Sequence, residues 1–216
     1  TNPAAVLENA GAVTTAVVLS GVGPGPATAT DEAGQTVTRT IQTNTNPGLF
    51  AAGPTLNADG TITFTPAANL NGTATLTIRL KDDGGTANGG VDTTDLAVTI
   101  TVTSVNNAPA GLNGVQTIFE GQTVVFSAGS FGFSDPNDTP ANALARVLIT
   151  TLPATGTLTL NAVPVVAGDF VTVAQLAANQ LVFTPANADD NGTAYASFTF
   201  QVEDDGGTAN GGVNLD

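Results

Sequence analysis

The stretch Asp82-Asp83-Gly84-Gly85-Thr86-Ala87-Asn88-Gly89-Gly90-Val91 recurs letter for letter from Asp204 to Val213, and no other feature constrains the fold as strongly. Phe64-Thr65-Pro66-Ala67 returns as Phe183-Thr184-Pro185-Ala186, and Asn71-Gly72-Thr73-Ala74 returns as Asn191-Gly192-Thr193-Ala194, in the same order. Repetition at a spacing of about 120 residues means homologous units in tandem. A chain of 216 residues therefore holds two of them, 1–105 and 106–216, with the boundary near Val105-Asn106.

Each unit reads as short strands separated by turns. In the first, residues 36–41, 61–64, 75–80 and 96–102 alternate apolar with polar side chains. That is the period of a strand with one face on a core and one in water. Asn57-Ala58-Asp59-Gly60 supplies a hairpin turn, with Gly60 suited to a positive φ. In the second unit residues 157–160, 170–173, 181–183 and 196–202 follow the same alternation, and only 173–179 looks helical. Around seven strands per unit, rich in Thr, Val and Ile and punctuated by Gly, Pro and Asn, predict an all-β chain of two tandem immunoglobulin-like β-sandwiches. The first unit continues past its Gly-rich hairpin into a final strand, Leu96 to Ser104, whereas the second reaches Asp216 before an equivalent. The second sandwich is thus expected to lack its last strand.

Charge narrows the function. Four Lys and Arg stand against 18 Asp and Glu, a formal net charge of −14. Nucleic acid and anionic membrane both need basic patches, so neither is an expected partner, whereas cations are. With no Cys and no His, the chain has no disulfide framework, no thiolate metal site and no imidazole base. A carboxylate-pair hydrolase needs two acids in a concave site, but the acids here flank Gly and Asn in turns, so no enzyme activity is expected. Sugar-binding sites stack aromatic rings on the ligand, and Tyr195 is the one Tyr in a chain without Trp. The Thr-x-Thr rows read as the wet faces of ordinary strands, and Asn71-Gly72-Thr73, Asn137-Asp138-Thr139 and Asn191-Gly192-Thr193 as turns. No apolar run is long enough for a membrane helix, and Thr1-Asn2-Pro3 resembles the end of a linker such as Asn106-Asn107-Ala108-Pro109.

Several motifs together resemble a known family. They are Leu7-Glu8-Asn9 and Phe119-Glu120-Gly121 after a first strand, Ser134-Asp135-Pro136-Asn137-Asp138, the two Asp-Asp-Gly-Gly hairpins, the linker Ser104 to Pro109, and Thr150 to Leu158. The sequence is similar to the cadherin-like and chondroitin-sulfate-proteoglycan-like repeats of giant secreted bacterial adhesins of the repeats-in-toxin type. The resemblance implies calcium between consecutive domains and a spacer role in a cell-surface or biofilm adhesin, extracellular and in contact with neighbouring repeats. Carried over residue by residue, it brings Glu8 towards Asp135, Asp138, Asp204 and Asp205, with Asn106 and Asn107 between them. It places Asp31, Glu32, Asp82 and Asp83 at the outer end of the first unit, and turns Glu120, Asp189 and Asp190 towards whatever follows the second.

Calcium takes about six to eight oxygen ligands from carboxylates, amides and carbonyls, which suits these residue types. The same Asp-Gly and Asn-Gly pairs also serve as plain turn residues that cap local backbone. Asn106 and Asn107 stand where the cadherin linker carries two aspartates, so weaker or fewer ions are expected. An alternative is a subunit of a self-assembling extracellular filament or surface layer, completed by strand exchange with another copy, because an unpaired edge is a template for strand addition.

Overall fold

A computed structural model describes residues 1–16, 18–25, 28, 30–32 and 34–216. It divides into two compact units, Thr1–Ser104 and Val105–Asp216. Unit 1 contains β1 (Val6–Leu7), β2 (Val13–Thr14), β3 (Val37–Asn44), β4 (Phe50–Leu56), β5 (Ile62–Pro66), β6 (Gly72–Asp82) and β7 (Thr93–Thr103). They form one sheet in the order β1-β7-β6-β3 and a second in the order β2-β5-β4. The alternation seen in the sequence is the reason these two sheets face each other. On β7 the residues Val98, Ile100 and Val102 are buried, and on β6 Ala74, Leu76 and Ile78. They meet Phe50, Ile62 and Phe64 from the other sheet, with Leu49 from the turn before β4, in one core. The predicted Asn57–Gly60 turn joins β4 to β5, with Gly60 at φ 84° and Thr61 N–H donating to Asp59 Oδ1 at 2.9 Å.

Unit 2 contains β8 (Val124–Val125), β9 (Leu144–Thr151), β10 (Thr157–Leu160), β11 (Val163–Pro164), β12 (Phe170–Thr172), β13 (Leu181–Thr184) and β14 (Thr199–Asp204). A single helical turn, α1 (Val173–Ala177), follows β12 and falls within the helical stretch expected from the sequence. Thr172 caps it, accepting from Gln175 N–H while Gln175 Oε1 accepts from Thr172 N–H. The sheets are β11-β10-β13-β8 and β12-β9-β14. Their shared core holds Phe131, Val147, Ile149, Val171, Leu176, Leu181 and Val202.

The two units are not assembled alike. In unit 1, β6 lies between β3 and β7, and β7 carries β1 on its far side as a parallel neighbour. In unit 2, β14 pairs with β9 through a register that runs from Thr199 opposite Thr151 to Asp204 opposite Leu144. No β7-like or β1-like strand follows on its other side among the described residues. The strand expected from Ala196 starts at Thr199, which lies opposite Thr151, the last residue of β9. Among the described residues no helix is long and apolar enough to cross a membrane.

Candidate functional site

The acidic side chains gather at the ends of the units because strands run the height of a sandwich and leave their polar turns at its rims. In unit 1, Glu8 follows β1 and is 3% exposed. Its backbone N–H donates to Thr103 O at 2.9 Å, which sets it beside the last residue of β7. Asn9 shares this end, exchanging hydrogen bonds with Asn69 of the β5–β6 loop at 3.0 and 3.1 Å. The opposite end of unit 1 carries Asp31, Glu32, Asp82 and Asp83. Asp83 accepts from Thr36 N–H at 2.9 Å and Thr36 Oγ1 at 2.8 Å, which holds its carboxyl below the usual range. Asp82 caps its own turn through Gly84 N–H at 2.9 Å. The Asp82 and Asp83 carboxylates thus hold local backbone; Asp31 and Asp83 are exposed and Glu32 and Asp82 half-buried.

Unit 2 concentrates its acids differently. Asp135, Asp138 and Asp204 are 6%, 7% and 2% exposed, three buried carboxylates beside the linker residues Asn106 and Asn107. Asn106 Nδ2 donates to both oxygens of Asp204, at 3.0 and 3.3 Å, and to Val213 O at 2.8 Å. Asn107 donates from its backbone N–H to Asp138 Oδ2 at 2.9 Å. Asp135 Oδ2 accepts from Asn142 N–H at 2.6 Å, whereas Oδ1 is buried with no hydrogen-bond partner among the described residues. Burial pushes the Asp135 carboxyl above its ordinary value and the neighbouring Asp138 and Asp204 charges push it further, against the pull of Asn142 N–H. Asp205 is exposed and does not join the three; its Oδ1 accepts from Ala143 N–H at 2.8 Å and its N–H donates to Ala143 O at 3.0 Å, pinning that loop.

Asn142 was not among the residues expected from the sequence. It reaches the centre of the cluster, donating from Nδ2 to Asn106 Oδ1 as well as from its backbone to Asp135. Its only sequence signal was a place four residues after Asp138, in a loop that reads as an ordinary turn. Gly206 completes the wall, because a Cβ there would collide with the Asn106 side chain.

At the other end of unit 2, Asn191 Nδ2 donates to Glu120 at 2.9 Å. Asp190 accepts from Tyr195 OH at 2.6 Å and from Asn187 N–H at 2.9 Å, bonds that hold its carboxyl low. Asp189 and Glu120 are exposed.

Chemically, the Asp135, Asp138 and Asp204 set fits a hard cation: three carboxylates with asparagine amides at hand, and one buried oxygen lacking a donor. As they stand, however, no group of three or more acidic side chains among the described residues is arranged to hold a metal ion. Amide and backbone N–H groups of Asn106, Asn107 and Asn142 point at the carboxylates instead. Asn106 and Asn107, expected between the acids, face them with nitrogen, because an N–H is the partner an isolated carboxylate accepts.

Comparison with known proteins bears on both units. Residues 26–102 match the family model of a cadherin-like domain, and residues 110–212 match a second cadherin-like model. No curated protein matches the chain. One solved structure with a similar chain is an endo-fucoidan hydrolase of glycoside hydrolase family 107, 22% identical, with a TM-score of 0.26. That match covers 85% of this chain and 23% of the hydrolase chain. At such a score the likeness carries no argument about catalysis.

Proposed function

Because the chain carries two tandem cadherin-like domains, we propose that it is a secreted structural spacer of a bacterial cell-surface or biofilm adhesin, stiffened by calcium at the linker. Domains of this kind are typically non-enzymatic and extracellular, and they fit an adhesion-type repeat. The observation that carries the calcium reading is the burial of Asp135, Asp138 and Asp204 together beside Asn106 and Asn107, with Asp135 Oδ1 unpartnered among the described residues. Three carboxylates so placed repel one another, and a divalent cation removes that repulsion while tying three separate segments to one point. Asp135, Asp138 and Asp204 would hold the ion, and the amides of Asn106 and Asn107 each have an oxygen to offer in place of the nitrogen.

Calorimetric titration of the full chain with calcium, against magnesium and after chelation, tests this reading. Expected are dissociation constants of about 10⁻⁴–10⁻³ M, as in extracellular modules. At a hundredfold excess of calcium the gain in stability is about 2.7 kcal/mol per site. Melting curves and scattering profiles that coincide in chelator and in millimolar calcium would remove the calcium reading.

A further inference from the structure

Asp204 lies deeper than Asp135 and Asp138, yet both of its oxygens have donors. Gly206 N–H reaches Oδ1 at 2.8 Å. Asn106 Nδ2 reaches Oδ1 at 3.0 Å and Oδ2 at 3.3 Å, and the same nitrogen lies 2.8 Å from Val213 O. Three oxygens from the two ends of the 204–213 hairpin thus converge on one amide nitrogen. The Asn106 backbone is held as well, since Val213 N–H donates to Asn106 O at 2.9 Å. The side-chain oxygen of Asn106 points the other way and accepts from Asn142 Nδ2.

The repeated motif shows what Asn106 adds. In unit 1 the counterpart Asp82 accepts from Gly84 N–H at 2.9 Å, as Asp204 does from Gly206. There the Gln35 side chain lies where a Cβ on Gly84 would be, and Asp82 is half-buried. In unit 2 a Cβ on Gly206 would collide with the side chains of Asn106 and Asn142, and one on Gly212 would meet Asn106 Cβ at 3.0 Å. Two glycines of the motif therefore keep open the space that the Asn106 side chain fills.

A cation and this amide need the same oxygens. A hard cation is held by oxygen ligands, and an amide nitrogen only donates. To present Oδ1 instead, Asn106 must break its bonds to Asp204 and Val213 and part from Asn142 Nδ2. It would exchange hydrogen bonds to a charged group, which are stronger than neutral ones, for one ligand oxygen.

We propose that the Asn106 side chain occupies the Asp204 end of the cluster in place of an ion and competes with calcium for it, so that this residue sets the calcium threshold of unit 2. With Asp204 supplied by Asn106, the cluster stays folded without calcium. The ion's first gain is then at Asp135 Oδ1, buried without a partner among the described residues. This inference rests on the calcium reading and deepens it by naming the group that opposes the ion.

The test uses the full chain with calcium chloride as the probe, followed by calorimetry, by NMR of the side-chain amides and by Tyr195 fluorescence melts. Solvent exchange of the Asn106 side-chain amide hydrogens is expected to quicken about tenfold as calcium saturates, once their acceptors are taken. Asn106→Ala removes the competitor without adding charge, and it should bind calcium about tenfold tighter because no hydrogen bonds to a carboxylate have to be broken. In chelator the same variant should melt lower at Tyr195. Wild-type binding that leaves the amide exchange unchanged, or an Asn106→Ala affinity equal to or weaker than wild type, overturns the proposal and leaves the calcium reading standing. Absence of binding by both proteins removes the two together. The exchange measurement needs no variant, so it decides alone if Asn106→Ala does not fold.

Discussion

Asp135 holds a carboxylate where only one of its oxygens finds a donor. Oδ2 accepts from Asn142 N–H and Oδ1 is buried without a partner among the described residues. Burial, reinforced by Asp138 and Asp204, raises its pKa above the ordinary value. Between the unfolded value near 3.9 and the raised folded one, the folded state therefore binds more protons than the unfolded state. Stability from this group accordingly falls as pH rises through that window, and the full penalty persists above it. Asp59, Asp83, Asp95 and Asp190 have the opposite sign, because hydrogen bonds from Thr61, Thr36, Arg79 and Tyr195 hold their carboxyls low. Their contribution is present above the unfolded pKa and lost as pH falls. Asp135→Asn in chelator should therefore stabilise unit 2 at neutral pH, by about 1 kcal/mol as the uncompensated buried charge is removed, which is about 4–8 °C for a domain of this size. The difference should shrink as pH falls through the unfolded value near 3.9, since the wild-type carboxyl becomes protonated in both states. In calcium the order reverses, since the variant has lost a ligand. Thermal melts at pH 7 and pH 3.5, with and without calcium, check all three statements.

Gly156 shows how an element depends on one backbone position. It precedes β10 at φ 74°, and a Cβ there would meet the Phe183 ring at 2.5 Å and Thr184 O at 2.7 Å. Thr157, the next residue, is paired with Thr184, so the backbone has no room to yield. Gly156→Ala is expected to cost unit 2 about 1–3 kcal/mol. Tyr195 reads it directly, because it is the only Tyr of a chain without Trp and its ring lies 6.4 Å from that of Phe183. A melt of Tyr195 fluorescence unchanged by the substitution would show that the turn relaxes. The elements themselves were legible where one face is wet: β3, β5, β6, β7, β10, β12 and β13 all fall on alternating stretches. β9 was not, since Leu144-Ala145-Arg146-Val147-Leu148-Ile149 is almost continuously apolar. It is the central strand of its sheet, and Arg146, the one break in the run, lies over the Phe170 ring at 3.7 Å and pairs with Glu203 at 2.9 Å. β4 was missed because Gly53-Pro54 reads as a break, yet the strand resumes pairing with β5 at Thr55 after an irregularity in register. At the candidate site, Asp135, Asp138 and Asp204 were legible as acids in loops. That they are buried, Asp204 more deeply than Asp82, its half-buried counterpart in the repeated motif, was not, because burial depends on Asn106, Asn142 and Gly206 from distant parts of the chain.

At the scale of the whole molecule, a net charge of −14 acts on both units through long-range repulsion, whereas a calcium ion acts at one point, and the two effects can be separated. Exposed carboxylates more than a Debye length apart, about 10 Å at 0.1 M salt, stop repelling one another once monovalent salt is present. Raising sodium chloride from about 10 to about 150 mM should thus stabilise unit 1 and unit 2 alike, and sodium at that concentration should exhaust the effect. Calcium at about 1 mM adds little ionic strength, so any further stabilisation reports binding. It should fall on unit 2, where Asp135, Asp138 and Asp204 are buried together, and raise the Tyr195 transition more than the far-ultraviolet transition of the whole chain. Asp135→Asn should leave the salt response of both units in place and remove the calcium response of unit 2. Were calcium to raise both transitions equally in 150 mM salt, and equally in the variant, the acids would be acting as a diffuse surface charge and the cluster beside Asn106 would have no ion of its own.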